Sequence, residues 1–336
     1  MKFNMKALLA AAGVAAFALS PANAYEDQSW KTKPGAFIGA SAGMPPPGIY
    51  MFNQVFTYQS NFSGPLVNNA LGGARVGVQA AVDVQGFIFV PGWTFLGATY
   101  DALIVQPFVM DSIGQPVNAQ AAGVFNTYFV PVELTWKLGT SGFVTKAGFA
   151  FYAPTGTIQG LSGLNNQGRP YWTFQPEWAL SYLANGWNLT AFLYEEFNTA
   201  NSRTNYTTGD IFHVDFTATK TFGKWTIGPV GYYVAQVSDD KCPVGVCRTF
   251  NPFGTLLNTQ RFQLFALGGL VEYNFGAASF SVWATQEIFA KASGAINPFN
   301  GEDLSVITKG MTVFATLSYR LWAPEEPAPA KPMFHK

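Results

Sequence analysis

The chain has 336 residues, a formal net charge of zero, 11% charged and 16% aromatic residues, and 34 glycines. Roughly 25% charge is usual for a soluble domain, so this composition argues against a surface that is wetted all round, and the lack of a basic excess excludes nucleic acid as a partner. Mean hydropathy is only +0.13, and no segment beyond the leader approaches the run of about 18 apolar residues that a membrane-spanning helix needs.

The leader, residues 1–24, reads as a secretory signal. Lys2 and Lys6 form its positive region, Ala7 to Leu19 its apolar core, and Ala22-Asn23-Ala24 an A-x-A cleavage site. Cleavage would leave a mature start at Tyr25 and remove two of the 19 basic residues, for a mature charge of about −2. Residues 25–49 form a separate opening: the small-residue stretch Gly35 to Gly43, then Pro45-Pro46-Pro47-Gly48. Three consecutive prolines cannot lie inside a paired strand, so this part precedes the sheet. It is expected on the periplasmic side, either folded into the mouth as a partial plug or left as a mobile leader.

From Tyr50 to Trp322 one unit repeats: a pleat-patterned segment of about 10 to 16 residues, then alternately a short turn or a long polar loop. Twelve strands are expected, near 50–60, 75–91, 94–110, 122–138, 143–153, 171–183, 186–199, 209–222, 225–238, 259–274, 278–290 and 308–322. Short turns fall at Pro91-Gly92-Trp93, 139–142, Ala184-Asn185-Gly186, Gly223-Lys224 and 275–277, and long connections lie between them. That rhythm predicts an all-β fold: a transmembrane antiparallel β-barrel of about twelve strands, with short periplasmic turns, long extracellular loops and both ends periplasmic. A closed barrel pairs every backbone donor and acceptor, so its strands cross a bilayer with only half their side chains apolar. A soluble β-sandwich is the alternative, and it calls for shorter strands and more surface charge. An exported barrel belongs in a bacterial outer membrane. The expected partners are its lipid and lipopolysaccharide, the barrel-assembly machinery, and a small hydrophobic or aromatic solute.

The two cysteines, Cys242 and Cys247, stand close together in a polar loop. In an oxidising envelope they are read as a local disulfide, with free thiols as the alternative. The chain ends in a proline-rich tail, residues 323–336, expected to be disordered.

Period-2 parity assigns faces. In the last predicted strand Met311, Val313, Ala315, Leu317, Tyr319 and Leu321 share one side, and Thr312, Thr316, Ser318 and Arg320 the other. Near 171–183 the reading sends Trp172, Phe174, Trp178, Leu180 and Tyr182 to lipid and Tyr171, Thr173, Gln175, Glu177 and Ser181 inward. Near 209–222 Phe212, Val214 and Phe216 go outward and His213, Asp215, Thr217 and Thr219 inward. Glu133, Lys146, Glu196, Glu272, Glu287 and Arg320 also fall on the inner face. Lys220 breaks the rule, close enough to the periplasmic edge to snorkel. The candidate pore-lining set is therefore Glu133, Lys146, Tyr171, Gln175, Glu177, Glu196, His213, Asp215, Glu272, Glu287 and Arg320. These side chains either order a permeant's path or form a salt-bridged filling, since twelve strands lie between a filled eight-stranded barrel and an open sixteen-stranded one.

Five stretches resemble one family. They are Pro45-Pro-Pro-Gly-Ile-Tyr50; Gly148-Phe-Ala-Phe-Tyr-Ala-Pro-Thr-Gly156; Asn166-Gln-Gly-Arg-Pro-Tyr-Trp-Thr-Phe-Gln-Pro176; Asn198-Thr-Ala-Asn201 with Thr204-Asn-Tyr206 and Gly209-Asp-Ile-Phe-His-Val-Asp215; and Tyr232-Tyr-Val-Ala-Gln-Val-Ser-Asp-Asp240. Together they resemble the bacterial exported proteins named for the meta-pathway of phenol degradation (MetA-type), regarded as outer-membrane transporters. The resemblance implies a barrel of about twelve strands and passage of small hydrophobic or aromatic molecules. The cysteine-bearing loop and the tail depart from the family pattern.

His213 and Asp215, i and i+2 on one face, prompt an enzyme reading, because a carboxylate can orient an imidazole. No G-x-S-x-G in a strand–turn–helix setting accompanies them, the one match (Gly39-Ala40-Ser41-Ala42-Gly43) lying in the small-residue opening, so an outer-membrane lipid hydrolase is the weakest alternative. Two histidines in the whole chain give no basis for a catalytic metal, and no cofactor is expected. The sequence reading is thus passive uptake of small hydrophobic or aromatic compounds, with a non-transporting structural barrel as its main rival.

Overall fold

Alternation with period 2 becomes a wall only if each strand finds a partner on both edges, and here all twelve long strands do. The structure, a computed structural model, describes residues 30–69, 72–73, 75–115, 118–159, 166–241, 261–296 and 300–324. The signal peptide, the Cys242–Cys247 pairing and residues 325–336 of the tail lie outside the described residues.

The elements in chain order are β1 (Gly48–Ser63), α1 (Pro65–Asn69), β2 (Gly77–Val90), β3 (Thr94–Phe95), β4 (Ala98–Ile113), β5 (Ala119–Val124), β6 (Thr127–Lys137) and β7 (Phe143–Ala153). Then come β8 (Thr173–Tyr182), β9 (Trp187–Asn198), β10 (Ile211–Phe222), β11 (Trp225–Gln236), β12 (Arg261–Asn274), β13 (Ala278–Ser293) and β14 (Ile307–Trp322). Apart from the short β3 and β5, sequence neighbours pair antiparallel all the way round. β14 returns to β1 with Ile49 opposite Trp322 and Ser63 opposite Ile307, so the sheet closes into a twelve-stranded barrel.

All twelve expected strands are present, with two local differences. The third begins at Ala98, because Leu96 and Gly97 (φ +50° and +76°) turn the chain into the small β3–β4 hairpin. The fourth is broken at Phe125 and Asn126. The Asn126 amide donates to the Arg169 carbonyl at 2.9 Å and accepts from the Arg169 N–H at 2.9 Å, which ties the break to the β7–β8 loop. The turn at Asn185-Gly186 has φ of +55° and +78°, and the Trp187 N–H closes it on the Ala184 carbonyl at 2.9 Å. That is the two-residue hairpin which Asn-Gly favours.

Trp172, Phe174, Trp178 and Phe216 stand exposed on the outer face, whereas Tyr171, Thr173, Gln175, Glu177, His213, Asp215 and Thr217 are buried on the inner one. At the short-turn end the outer aromatics meet in chains. Trp225 packs on Tyr273 and Tyr273 on Phe275, each at 4.7 Å between ring centroids, and Trp93 stacks on Tyr100 at 5.7 Å. Lys220 joins this ring of aromatics with its Nζ 4.8 Å over Trp187, the snorkelled position expected of it. A closed barrel with an apolar belt and an aromatic girdle is built for lipid, and with this strand pattern it is a bacterial outer-membrane barrel.

Candidate functional site

The inside of the barrel is occupied by the chain's own opening. Residues 30–47 run down the bore from the loop end to the short-turn end, so they reach beyond the periplasmic mouth to which the sequence reading assigns them. Trp30 packs edge-on against Phe262, 5.7 Å away, among Ile211, Leu264 and Ile307 at the loop ends of their strands. Ile38 sits deeper, with Val230, Leu270, Trp283 and Phe314. Ala42 lies near Val144, Ala179 and Leu183 at the opposite end.

Between these points the segment coils in successive turns, with N–H to C=O bonds from Ala36 to Lys33, Ile38 to Gly35 and Ala40 to Phe37. Gly35 and Gly39 both have φ of +87°, and a Cβ on Gly35 would lie 2.9 Å from the Tyr232 ring. The coil is therefore tight because glycine permits it.

A coil of this kind leaves backbone N–H groups unpaired in a dry place, and each needs an acceptor. The inner wall supplies them. Glu196 accepts from Lys31 N–H at 2.8 and 2.9 Å and from Thr32 N–H at 2.9 Å. Asp215 accepts from Gly35 and Phe37, both at 3.0 Å. Below it Thr217 Oγ1 accepts from Gly39 at 2.9 Å, and Ser181 Oγ from Ala42 at 2.8 Å. In the other direction Trp283 Nε1 donates to the Gly35 carbonyl at 3.1 Å and Thr135 Oγ1 to the Ala42 carbonyl at 3.1 Å. Ring contacts complete the fit: Phe37 stacks on Phe192 at 4.4 Å and meets Tyr194 edge-on at 5.1 Å.

A second group of wall residues pairs within the wall. Lys146 Nζ lies 3.0 Å from Glu133 Oε2 and 3.5 Å from Asp101 Oδ2, all three buried. Next to them Glu177 accepts from the Tyr128 hydroxyl and from Gln175 Nε2 at 2.7 Å. Gln175 in turn accepts from Thr32 Oγ1 at 2.7 Å, which links this group to the inner segment. Glu287, on β13, takes the Tyr58 and Tyr232 hydroxyls at 2.8 and 2.7 Å and the Gly310 N–H at 2.7 Å.

The candidate residues are thus brought together unevenly. Glu133, Lys146, Gln175, Glu177, Glu196, His213, Asp215 and Glu287 surround the inner segment or stand beside it. Tyr171 lies higher, under the Lys31 ammonium at 4.9 Å. Glu272 is half-buried near the short-turn end. Arg320 is exposed at that rim, where it donates to the Pro47 carbonyl at 2.7 Å. His213 and Asp215 do not act on one another. The imidazole stacks on Tyr194 at 4.3 Å with Nε2 3.3 Å from Glu196, while both Asp215 oxygens serve backbone N–H groups.

At the loop end, above the membrane, Asp240 ties three pieces together. It accepts from the Tyr206 hydroxyl, from Gly209 N–H at 2.7 Å and from Gln236 Nε2 at 2.7 Å. Burial pushes its carboxyl up to about 6, against the pull of those bonds and of the Lys31 charge. Asp240 and Asp101 are absent from the sequence-derived set, as are the inward rings of Tyr128, Tyr152, Phe192, Tyr194, Trp283 and Phe314.

Residues 56–292 match the family model described as "Putative MetA-pathway of phenol degradation". The chain belongs to that family. Among solved structures it is similar to the COG4313 outer membrane channel from Pseudomonas putida F1, with a TM-score of 0.64, 10% identity, and 86% of this chain and 99% of that one covered. At this identity the likeness shows the fold alone: a closed outer-membrane barrel. More remote are the translocator domain of autotransporter NalP from Neisseria meningitidis and the Pseudomonas putida toluene transporter TodX. NalP gives a TM-score of 0.43 at 9% identity over 83% of this chain and 91% of its own, and TodX gives 0.34 at 11% over 90% and 96%. Neither score carries an argument. No curated protein matches the chain.

Proposed function

We propose that this family member is a passive outer-membrane channel for small hydrophobic or aromatic compounds, with residues 30–47 as a removable plug. One observation carries the reading. The plug is held by hydrogen bonds and ring contacts to side chains and, among the described residues, pairs with no strand of the wall, so it can withdraw while the barrel stays closed. The bore it vacates is lined by Tyr128, Tyr152, Phe192, Tyr194, Trp283 and Phe314, interleaved with Glu177, Glu196 and Asp215. Rings of this kind suit flat apolar solutes, and the few polar groups among them would orient a phenolic hydroxyl. Transit would be downhill, since no residue on the route couples it to an energy source. Residence in the outer membrane sets lipid against the belt, lipopolysaccharide against the loops, and the barrel-assembly machinery against the nascent strands. A lipid hydrolase draws no support from His213, whose partner is Glu196.

The rival reading, a non-transporting structural barrel, is favoured by the completeness of the plug's hydrogen bonding. Uptake separates the two. A deletion strain and its complemented parent would be supplied with labelled phenol, toluene and a polar sugar. Slower entry of the aromatics alone in the deletion strain supports the channel; equal entry of all three, with the barrel folded and inserted, leaves the structural reading.

A further inference from the structure

We propose that Tyr58, Tyr232 and Glu287 form a binding site for the ammonium group of an apolar amine, and that Lys33 of the plug is its resident stand-in. The Lys33 side chain is 8% exposed and that of Glu287 0%. Its Nζ lies 4.0 Å from the centroid of the Tyr58 ring, 5.6 Å from that of Tyr232 and 5.2 Å from that of Trp30. Glu287 Oε1 stands 3.7 Å away, and among the described residues no acceptor comes within hydrogen-bonding distance of this nitrogen. A buried primary ammonium ordinarily donates its hydrogens. This one is held by ring faces and a counter-charge instead, an arrangement as well suited to an alkylated ammonium that has no hydrogens to give.

The cage divides in an informative way. Tyr58, Tyr232 and Glu287 belong to the wall strands β1, β11 and β13; Lys33 and Trp30 belong to the plug. Glu287 does not depend on Lys33 for its position, because both tyrosine hydroxyls and the Gly310 N–H fix its two oxygens. When the plug withdraws, two ring faces and an immobilised carboxylate remain with no cation between them. An incoming amine would place its ammonium there and its apolar body against Val230, Leu270 and Trp283, where Ile38 now packs. The same contact would compete with Lys33, so binding and plug release are coupled.

This proposal rests on the channel reading for its purpose, but it is measured as binding. The mature protein in lipid nanodiscs would be titrated calorimetrically with hexyltrimethylammonium and, separately, with hexanol. Lys33→Met removes the internal competitor and should tighten hexyltrimethylammonium binding by about thirtyfold, the scale of a desolvated cation–π contact. Adding Glu287→Gln to that variant should weaken it by at least as much, and hexanol should respond to neither change. If the double variant does not fold, Tyr58→Leu replaces its second change. Binding no tighter in Lys33→Met than in the parent, or hexanol following the same pattern, overturns the proposal. Binding found where uptake fails would leave the cage standing and remove the channel; uptake without binding would remove the cage alone.

Discussion

Asp215→Ala tests what holds the plug. In the parent the two carboxylate oxygens each take one backbone N–H, from Gly35 and Phe37, at 3.0 Å. The Gly35 donor is buried and the Phe37 donor partly so, with Asp215 only 1% exposed. An orphaned buried donor costs about 1–3 kcal/mol, so alanine weakens docking by about 2–6 kcal/mol. Asp215→Asn keeps one acceptor oxygen and orphans a single donor, so it should cause about half that loss. A cysteine placed at Ala36 reports docking through its rate of modification by a soluble thiol reagent in folded, membrane-inserted protein. The rate should rise at least thirtyfold with alanine, less with asparagine, and single-channel conductance should rise in the same order. Modification and conductance both unchanged in Asp215→Ala would refute the reasoning, because the plug would then be held by something other than its amide contacts.

Three further outcomes follow from the wall and the loops. Lys146→Met leaves Asp101 and Glu133 as buried acids without their cation and should cost about 3–5 kcal/mol in urea unfolding from lipid vesicles, with recovery when Glu133→Gln is added. Gly268→Ala puts a Cβ 1.8 Å from the Ala284 carbonyl oxygen, whereas at the next residue Gly269→Ala meets nothing nearer than 3.9 Å. The first should lower barrel stability by about 1–3 kcal/mol and the second should leave it unchanged in the same assay. The folded Asp240 carboxyl titrates at about 6, above its ordinary value of 3.8. The folded state therefore holds the extra proton between those values, and loop stability should rise as pH falls from 7 toward 4, by up to about 3 kcal/mol. Hydrogen exchange at the Gly209 amide, slower at pH 5 than at pH 8 after correction for intrinsic rates, would check the sign.

The strands were legible because alternation is a repeated local signal, and one face of each had to suit lipid. The turn at Asn185-Gly186 and the inward placement of Glu196 and Asp215 come from that signal alone. Asp101 was left out although it shares one parity with Leu103 and Val105; the irregularity opposite it lies in β6, between Val130 and Glu133. The inward rings of Trp283 and Phe314 share parity with Glu287 and Thr312, and were left out because the candidate set was drawn mainly from charged and polar side chains. The path of residues 30–47 left no periodic mark, since a coil of glycine, alanine and proline matches no template. One indirect signal was present: by parity the inner face carries Glu133, Glu177, Glu196, Asp215, Glu272 and Glu287 against Lys146 and Arg320. Such an excess of acceptors in a narrow bore calls for donors from elsewhere, and the opening segment, outside the predicted strands, could supply them.

Because the wall grips main-chain N–H groups, it recognises a feature that every amino acid except proline shares. The plug can therefore drift in sequence at many positions and keep its seat, provided that residues 31, 32, 35, 37, 39 and 42 each retain an amide hydrogen. Exhaustive substitution of the segment would show a pattern unlike that of a packed core. Single positions would reject proline yet accept side chains of varied chemistry, and Gly35 and Gly39, both at φ +87° with the Tyr232 ring and Leu270 pressing on them, would stand out as exceptions.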